Sequence, residues 1–237
     1  LDMLAEEGFL TKAEIEAVDW GKSTDRVDYG NLYEKRFPLL RLAAERFRGT
    51  RSIEYDVFCR FHARWLKDYA LFMAIKDSLS GCSVDCWEEG LKLRRESSVS
   101  AARERLSESV EFYQILQFWF HRQWKKLRSY AAGKGIKLIG DLPIYTSADS
   151  ADLWANPTLF QLDEGFAPKA VAGVPPDVFS ATGQLWGNPL YDWERMKADG
   201  YAWWAARLRH ALTLFDFIRI DHFRAFSAYF SIPAAAK

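Results

Sequence analysis

Two short β-rich runs, each preceded by a helical segment and closed by a carboxylate, constrain the fold of this chain most strongly. Residues 136–141 (IKLIGD) follow a glycine turn, and Phe217–Asp221 (FIRID) reads as a buried strand that ends in a polar site. Strands that alternate with helices favour a parallel sheet, and polar groups at the carboxyl ends of such strands are typical of (β/α) barrels. We therefore predict an α/β chain with Asp141 and Asp221 at strand ends.

The second run places two charged side chains on one face of the predicted strand. Side chains alternate along a strand, so Arg219 and Asp221 point the same way. A guanidinium beside a carboxylate favours the charged form of that carboxylate, which suits a nucleophile or a counter-charge to a developing cation. For an arbitrary sequence, however, an ordinary ion pair at a strand end is the favoured interpretation. Asp141 is likewise compatible with a simple turn cap.

The composition argues against several classes of partner. The chain of 237 residues carries 32 basic and 32 acidic side chains, so no net field favours nucleic acid or an anionic membrane. No apolar run approaches the roughly 18 residues of a membrane span, and the acidic start (LDMLAEE) is unlike a signal peptide. Three cysteines fit a reducing compartment, and no second pair at zinc-site spacing accompanies them. We predict a soluble, cytoplasmic chain without a metal site.

The first half of the chain reads as helical. A capping box predicts a short helix over residues 11–18, and a second helix is expected between Pro38 and Gly49. Aromatic residues at steps of three and four predict a further helical segment over residues 58–81. The longest helix is predicted over residues 100–132, with a glycine beyond its end.

Residues 170–191 form the least regular stretch of the sequence. Three prolines and three glycines restrict its backbone, and neither helical nor alternating periodicity is present. Polar groups and rings suited to a sugar are supplied by Asp177, Gln184, Trp186, Asn188 and Tyr191. Long irregular loops in compact domains are often functional, although a packed surface loop is the alternative. Aromatic residues make up 16% of the chain, so some rings can belong to a binding surface as well as to a core.

Four segments in one order carry a resemblance to a known family. They are residues 140–145 (GDLPIY), 150–154 (SADLW), 172–191 and 219–224 (RIDHFR). Together they closely resemble the 4-α-glucanotransferases, also called amylomaltases, of the α-amylase clan. The resemblance implies an incomplete (β/α)8 TIM-type barrel with a large helical insertion. Residues 1–132 would form the helical insertion, and residues 133–237 would supply the third and fourth barrel strands with a lid loop.

The resemblance also implies roles for individual residues. Asp221 matches the family's nucleophile, which forms a covalent glycosyl-enzyme, and Arg219 matches the arginine that keeps this carboxylate ionised. Residues 173–191 resemble a mobile loop that arches over the cleft. Ala225 stands where the family usually has glycine, a departure that asks only for a slightly different backbone. Substrate contacts are expected from His222, Asp141, Asp177, Gln184, Trp186 and Asn188.

The implied activity is the transfer of α-1,4-glucan segments to the 4-hydroxyl of an acceptor by a retaining double displacement. The expected partner is an α-1,4-glucan or a maltooligosaccharide, with no cofactor, no metal, no nucleic acid and no membrane. A retaining mechanism needs a second carboxyl about 5–5.5 Å from the nucleophile. The family carries this acid on a later strand, so we expect this chain to be an internal portion that is inactive alone.

Two other functions remain open. A hydrolase of the same clan would release new reducing ends, although the lid loop argues against it. A glucan-binding remnant without chemistry is compatible with the missing acid, whereas the presence of both Arg219 and Asp221 argues against it. The length of the preferred donor and the oligomeric state cannot be read from these residues.

Overall fold

In the computed structural model, which describes residues 1–21, 25–50, 52–178 and 180–236, the described elements before residue 139 are helical, and short strands interspersed with helices follow. The α-helices in these ranges are α1 (Asp2–Glu6), α2 (Lys12–Glu16), α3 (Tyr29–Asn31), α4 (Phe37–Arg48), α5 (Ile53–Phe61), α6 (Ala63–Ser78), α7 (Glu89–Lys92), α8 (Glu96–Arg105), α9 (Ser107–Gly133), α10 (Ala151–Ala155), α11 (Trp193–Ala198) and α12 (Ala202–Leu214). The strands are β1 (Ile139–Pro143), β2 (Ala170–Val174), β3 (Gln184–Pro189), β4 (Phe217–Asp221) and β5 (Phe230–Pro233). This content confirms the α/β class. Within the described ranges, every helix is either too short or too polar to serve as a membrane span.

The described strands form two sheets. β1 and β4 pair in parallel, with Asp141 opposite Arg219 and Pro143 opposite Asp221. β2 pairs antiparallel with both β3 and β5, so the order of the second sheet is β3-β2-β5. The parallel pairing confirms the prediction made from the two β-rich runs, because parallel strands require a long crossover connection of the kind that separates them.

The parallel sheet differs from the prediction in its bounds and its burial. β1 begins at Ile139 and continues to Pro143, so Asp141 lies in the middle of the strand and not at its end. The prediction of a buried strand is wrong for β4, because Phe217 is 57% exposed and its cross-strand partner Ile139 is 70% exposed. Helix α12 packs against both strands, and Gly140 is buried. Because side chains alternate, the residues on the other face remain accessible.

The helix predictions are confirmed in part. The side chain of Thr11 accepts from the backbone of Glu14 and completes the predicted capping box of α2, while α4 ends at Gly49 as expected. Two helices predicted as continuous are each interrupted by one residue, α5 and α6 at His62 and α8 and α9 at Leu106. These residues have ψ values of 7° and 18°, outside the helical well. The apolar spacing continues through such a short break, so periodicity does not reveal it.

The chain divides into two compact units, Leu1–Ala70 with Ser107–His121, and Leu71–Leu106 with Arg122–Lys237. Aromatic rings form the core of the first unit. The ring of Phe47 lies 5.4 Å from that of Tyr55 and 5.6 Å from that of Trp119, at angles of 82° and 75°. Such edge-to-face contacts match the electrostatics of aromatic rings. The domain boundary at residue 132 stays a prediction.

A buried tryptophan organises part of the second unit. The ring of Trp154 lies 5.5 Å from that of Trp87 and 6.0 Å from that of Phe72. Its indole N–H donates to the carbonyl oxygen of Leu91 at 2.8 Å, so its polar atom is satisfied despite complete burial. Trp154 belongs to the SADLW segment, and the contacts explain why a large aromatic residue stands there.

Asp216 fixes the start of the parallel sheet. Its carboxylate accepts from the backbone N–H of Leu138 at 2.9 Å and from the guanidinium of Arg128 at 3.2 Å. Its own N–H donates to the carbonyl of Leu138 at 2.9 Å. The bond from Leu138, followed by that from Arg128, lowers the pKa of Asp216 below its ordinary value. This residue therefore ties the end of α9 to the first residues of the sheet.

We expect Asp216→Asn to lower the melting temperature near pH 7, because the amide loses the ion pair with Arg128. A carboxyl whose pKa is lowered on folding stabilises the fold above its unfolded value of about 4, and this contribution is lost as the pH falls through the folded value. The difference in melting temperature between wild type and variant should therefore be largest at neutral pH and should disappear as the pH falls below about 4. Thermal unfolding followed by circular dichroism between about pH 2 and pH 8 measures it.

The control for this experiment is Glu194→Gln, which removes an exposed carboxylate from α11. This variant should follow the wild-type curve closely at every pH, since surface substitutions of this kind change stability little. A difference for Asp216→Asn that stayed constant down to about pH 2 would show that the charge of Asp216 is not the stabilising feature.

Candidate functional site

Three charged side chains meet on the exposed face of the parallel sheet. Arg219 binds Asp141 through two hydrogen bonds, from Nε to Oδ1 at 3.0 Å and from Nη2 to Oδ2 at 2.6 Å. The same Nη2 lies 3.9 Å from Oδ1 of Asp221. The side chains of Arg219, Asp141 and Asp221 are 65%, 55% and 68% exposed. They form an accessible group, which we name the carboxylate–arginine group.

The strand register explains this arrangement. It sets Asp141 directly opposite Arg219, and Asp221 follows two residues later on the same face of β4. A bidentate arginine–carboxylate pair is among the strongest side-chain hydrogen-bonding arrangements. Asp141 is accordingly the main cause, and Asp221 a smaller one, of a raised pKa for Arg219. The sequence interpretation paired Arg219 with Asp221, and the structure adds Asp141 as the nearer partner.

Aromatic rings lie beside the carboxylate–arginine group. His222 follows β4 directly with a left-handed φ of 52°, and the chain then turns into the short 3-10 segment Phe223–Phe226. The ring of Trp186 on β3 stands edge-on to the imidazole of His222, with 4.9 Å between centroids and an angle of 79°. The ring of Tyr145, just beyond β1, lies 6.4 Å from both. The structure thus brings His222 and Trp186 together, two residues that the sequence predicted as substrate contacts.

Residues 170–191 form a β-hairpin and not the irregular loop that the sequence predicted. The pairing of β2 with β3 is irregular just before Gly173. A Cβ on Gly173 would lie 2.4 Å from the carbonyl oxygen of Gln184 and 2.4 Å from Cδ1 of Ile232, so only glycine permits this close approach. The irregular register and the glycine remove the alternation by which strands are predicted. Phe179, within the predicted lid, lies outside the described residues.

The hairpin carries three further residues predicted to contact substrate, and their side chains have different hydrogen-bond partners. Gln184 accepts from the indole N–H of Trp186 at 2.9 Å. Asn188 donates its amide to the carbonyl of Thr146 at 2.9 Å, so it supports the segment that follows β1. Asp177 accepts from the backbone N–H three residues later at 2.8 Å and closes the hairpin turn. Gln184 therefore lies with the aromatic rings, whereas Asn188 and Asp177 bind the backbone of the chain.

Two residues near the site were not singled out from the sequence. Tyr145 is buried, and burial raises its pKa to about 12. Its position just beyond β1, in the GDLPIY segment, was a signal that could have identified it. Arg207 on α12 donates to the carbonyl of Ile144 at 3.3 Å. No local pattern distinguishes Arg207 from the other arginines of the chain, so only the tertiary structure identifies it.

The chemical character of the site follows from these groups. Carboxylates and an arginine can bind hydroxyl groups, and the carboxylates can also stabilise a developing positive charge, while aromatic rings can pack on the apolar face of a sugar. In the described part of the chain, no group of three or more His, Cys, Asp or Glu side chains is placed to hold a metal ion.

In sequence and in fold, this chain matches known proteins over nearly all of its own length. A family model described as 4-alpha-glucanotransferase (Glyco_hydro_77) matches residues 1–237. The 4-alpha-glucanotransferase of Streptococcus pneumoniae (strain TIGR4) is 42% identical over 238 residues, which cover 100% of this chain and 47% of that protein. The 4-alpha-glucanotransferase of Thermus thermophilus is 45% identical over 236 residues, which cover 98% of this chain and 46% of that protein.

A solved structure agrees with these matches. The structure described as amylomaltase from Streptococcus agalactiae in complex with acarbose superposes with a TM-score of 0.93 at 39% identity, covering 100% of this chain and 48% of that chain. The chain therefore spans about half the length of the curated relatives it matches. The resemblance stated from four sequence segments is confirmed, and the chain belongs to the 4-alpha-glucanotransferase family.

Proposed function

We propose that the full-length protein transfers segments of α-1,4-glucan to the 4-hydroxyl of an acceptor glucan or glucose, with retention of configuration. The observation that carries this proposal is the position of Asp221, an exposed carboxylate at the end of a parallel strand with Arg219 at 3.9 Å and aromatic rings nearby. The names of the relatives support the same reaction class, and one of them was solved in complex with acarbose.

The reaction consists of two displacements at one anomeric carbon. In the first, a carboxylate oxygen of Asp221 bonds to this carbon, while the glycosidic bond breaks and its electron pair leaves with the departing oxygen. That oxygen takes a proton from an acid, and a covalent glycosyl-enzyme remains. In the second, the 4-hydroxyl of an acceptor attacks the same carbon and gives up its proton, and Asp221 leaves as a carboxylate. Two inversions restore the α configuration.

Arg219 and Asp141 prepare the nucleophile in this mechanism. Arg219 supplies a positive charge beside Asp221, which attracts and orients the attacking carboxylate. Asp141 holds the guanidinium with two hydrogen bonds and thereby fixes the direction of its remaining N–H groups. We also assign Asp141 a contact with hydroxyls of the reacting glucose, since its side chain is more than half exposed.

The aromatic rings are proposed to bind the sugar. The ring of Trp186 offers an apolar face, and His222 and Gln184 offer hydrogen-bonding groups for hydroxyls. Asp177 is proposed to meet glucan at the turn of the hairpin, whereas Asn188 is proposed to act through the segment after β1. A hairpin that covers the bound sugar would exclude water, and this would favour an acceptor sugar over hydrolysis.

A retaining transfer also requires an acid/base carboxyl about 5–5.5 Å from the nucleophile. The relatives are about twice as long as this chain. We propose that the rest of the full-length protein supplies this group, together with the other strands of a (β/α)8 barrel. β1 and β4 would then be neighbouring barrel strands. In this organisation residues 133–237 belong to the barrel, and residues 1–132 form a helical insertion.

Product analysis with maltotriose tests the proposed function. Transfer conserves the number of glycosidic bonds, so we expect glucose and a ladder of longer maltooligosaccharides with little change in total reducing ends. Hydrolysis would instead add one reducing end for each bond broken. Chromatography of the products and a reducing-end assay on the same samples separate the two reactions. If the full-length protein left maltotriose unchanged, the proposal would be wrong.

A further inference from the structure

Arg207 lies on α12, outside the carboxylate–arginine group, and its guanidinium reaches the segment that follows β1. Its Nη1 donates to the carbonyl oxygen of Ile144 at 3.3 Å, and the hydroxyl of Tyr191 donates to the same oxygen at 2.6 Å. Burial raises the pKa of Tyr191, and the nearby positive charge of Arg207 opposes this rise. A guanidinium, a phenol and a carbonyl therefore form one hydrogen-bonded network.

Neighbouring groups hold Arg207 in place. Its guanidinium carbon lies 5.3 Å from the ring centroid of Trp203 and 4.9 Å from that of Trp204. A cation near an aromatic face is attracted to the ring, and the attraction is stronger where water is excluded. Trp204 is buried, and Asp152 on α10 supplies an opposite charge that interacts with Arg207. The guanidinium is therefore fixed before any ligand arrives.

The network reaches the site through Tyr145. The carbonyl of Ile144 belongs to the planar peptide group that leads to Tyr145, so fixing this oxygen restricts the direction of the Tyr145 side chain. The ring of Tyr191 stacks on that of Tyr145, with 6.1 Å between centroids and an angle of 23°. Tyr145 in turn lies 6.4 Å from His222 and 6.4 Å from Trp186. A displacement at the network is thus passed to the rings beside Asp221.

We propose that Arg207 is a positioning residue for the glucan site. It acts through Ile144 and Tyr191, and it holds Tyr145 against the other aromatic rings. The inference rests on the proposed function and adds a residue that does not itself touch the sugar. Lysine would keep the charge but lacks the planar fork that can bond two oxygens at once. Loss of the network should therefore disturb the geometry of the reaction more than the binding of glucan.

Steady-state transfer from maltotriose by the full-length protein tests this role. We expect Arg207→Met to lower kcat by about 10²-fold, because a misplacement of about 1 Å can have an effect of that size. Arg207→Lys and Tyr191→Phe should lower kcat by about tenfold, since each keeps part of the network, and KM should stay within about threefold for all three variants. Arg209→Met is the matched control, because Arg209 is exposed on the same helix, and it should keep the wild-type kcat.

The melting temperature of each variant is also measured, and kcat is determined well below it. A merely structural role would change the melting temperature and leave the kcat of the folded protein intact. Wild-type kcat in all three variants would overturn the inference, while transfer by the wild type would still support the proposed function. Absence of transfer by the wild type would refute the proposed function itself. If Arg207→Met does not fold, unchanged kcat in both milder variants overturns the inference.

Discussion

Asp221→Asn is expected to lower kcat for glucan transfer by at least about 10³-fold in the full-length protein. Asparagine has nearly the same size, but its amide is a poor nucleophile, so the glycosyl-enzyme does not form. Loss of the nucleophile removes most of the rate in enzymes that work through covalent intermediates. The exchange removes one charge and hardly changes the size of the side chain, so the fold should be retained. Transfer from maltotriose and thermal unfolding measure the two effects.

The control for this variant is Asp85→Asn, which neutralises an exposed carboxylate on the 3-10 segment Val84–Cys86 and should transfer at the wild-type rate. A glycosyl fluoride that carries a second fluorine on the sugar ring gives an independent readout. The ring fluorine slows both steps because their transition states are cationic, while the fluoride leaving group speeds the first step, so the intermediate accumulates. Mass spectrometry should then find the sugar on the peptide that contains Asp221. A label on another carboxylate, or Asp221→Asn transferring at more than about a tenth of the wild-type rate, would show that the nucleophile is a different residue.

Local rules were sufficient for part of this site. Alternation along one strand put Arg219 and Asp221 on the same face, and the order of helices and strands predicted the parallel pairing. Both depend on interactions between residues close in sequence or on the connectivity of the chain. The capping box of α2 was predictable for the same reason, since its two bonds lie within four consecutive residues.

Long-range contacts could not be predicted in this way. The pairing of Asp141 with Arg219 depends on the register of two strands whose partners are 78 positions apart. The hairpin formed by β2 and β3 escaped prediction because its register is irregular at Gly173 and its turn is rich in proline. Arg207 has no local signature at all, because its role depends on a carbonyl 63 positions away. Sequence patterns therefore identified the charged groups, but the structure was needed to show how they are held.

Arg219→Met is expected to lower kcat/KM for transfer by about 10²- to 10³-fold. Arg219 is the cation between Asp141 and Asp221, and its removal leaves two carboxylates on one face without a compensating charge. Without the guanidinium the two carboxylates repel each other, so Asp221 is no longer held in position for attack. Arg219→Lys keeps a charge but loses the bidentate pair, and we expect a loss of about 10- to 10²-fold. Steady-state transfer from maltotriose by the full-length proteins measures both losses.

A second substitution tests whether Arg219 acts together with Asp141. In an Asp141→Asn background one of the two carboxylates is already neutral, so Arg219→Met should lower kcat/KM by a smaller factor than it does in the wild type. The two substitutions are then coupled, as expected for residues in direct contact. Arg209→Met on α12 is the control for loss of an arginine charge and should leave kcat/KM unchanged. Equal losses in both backgrounds would mean that Asp141 does not influence the nucleophile through Arg219, and an unchanged kcat/KM for Arg219→Met would mean that this arginine does not support Asp221.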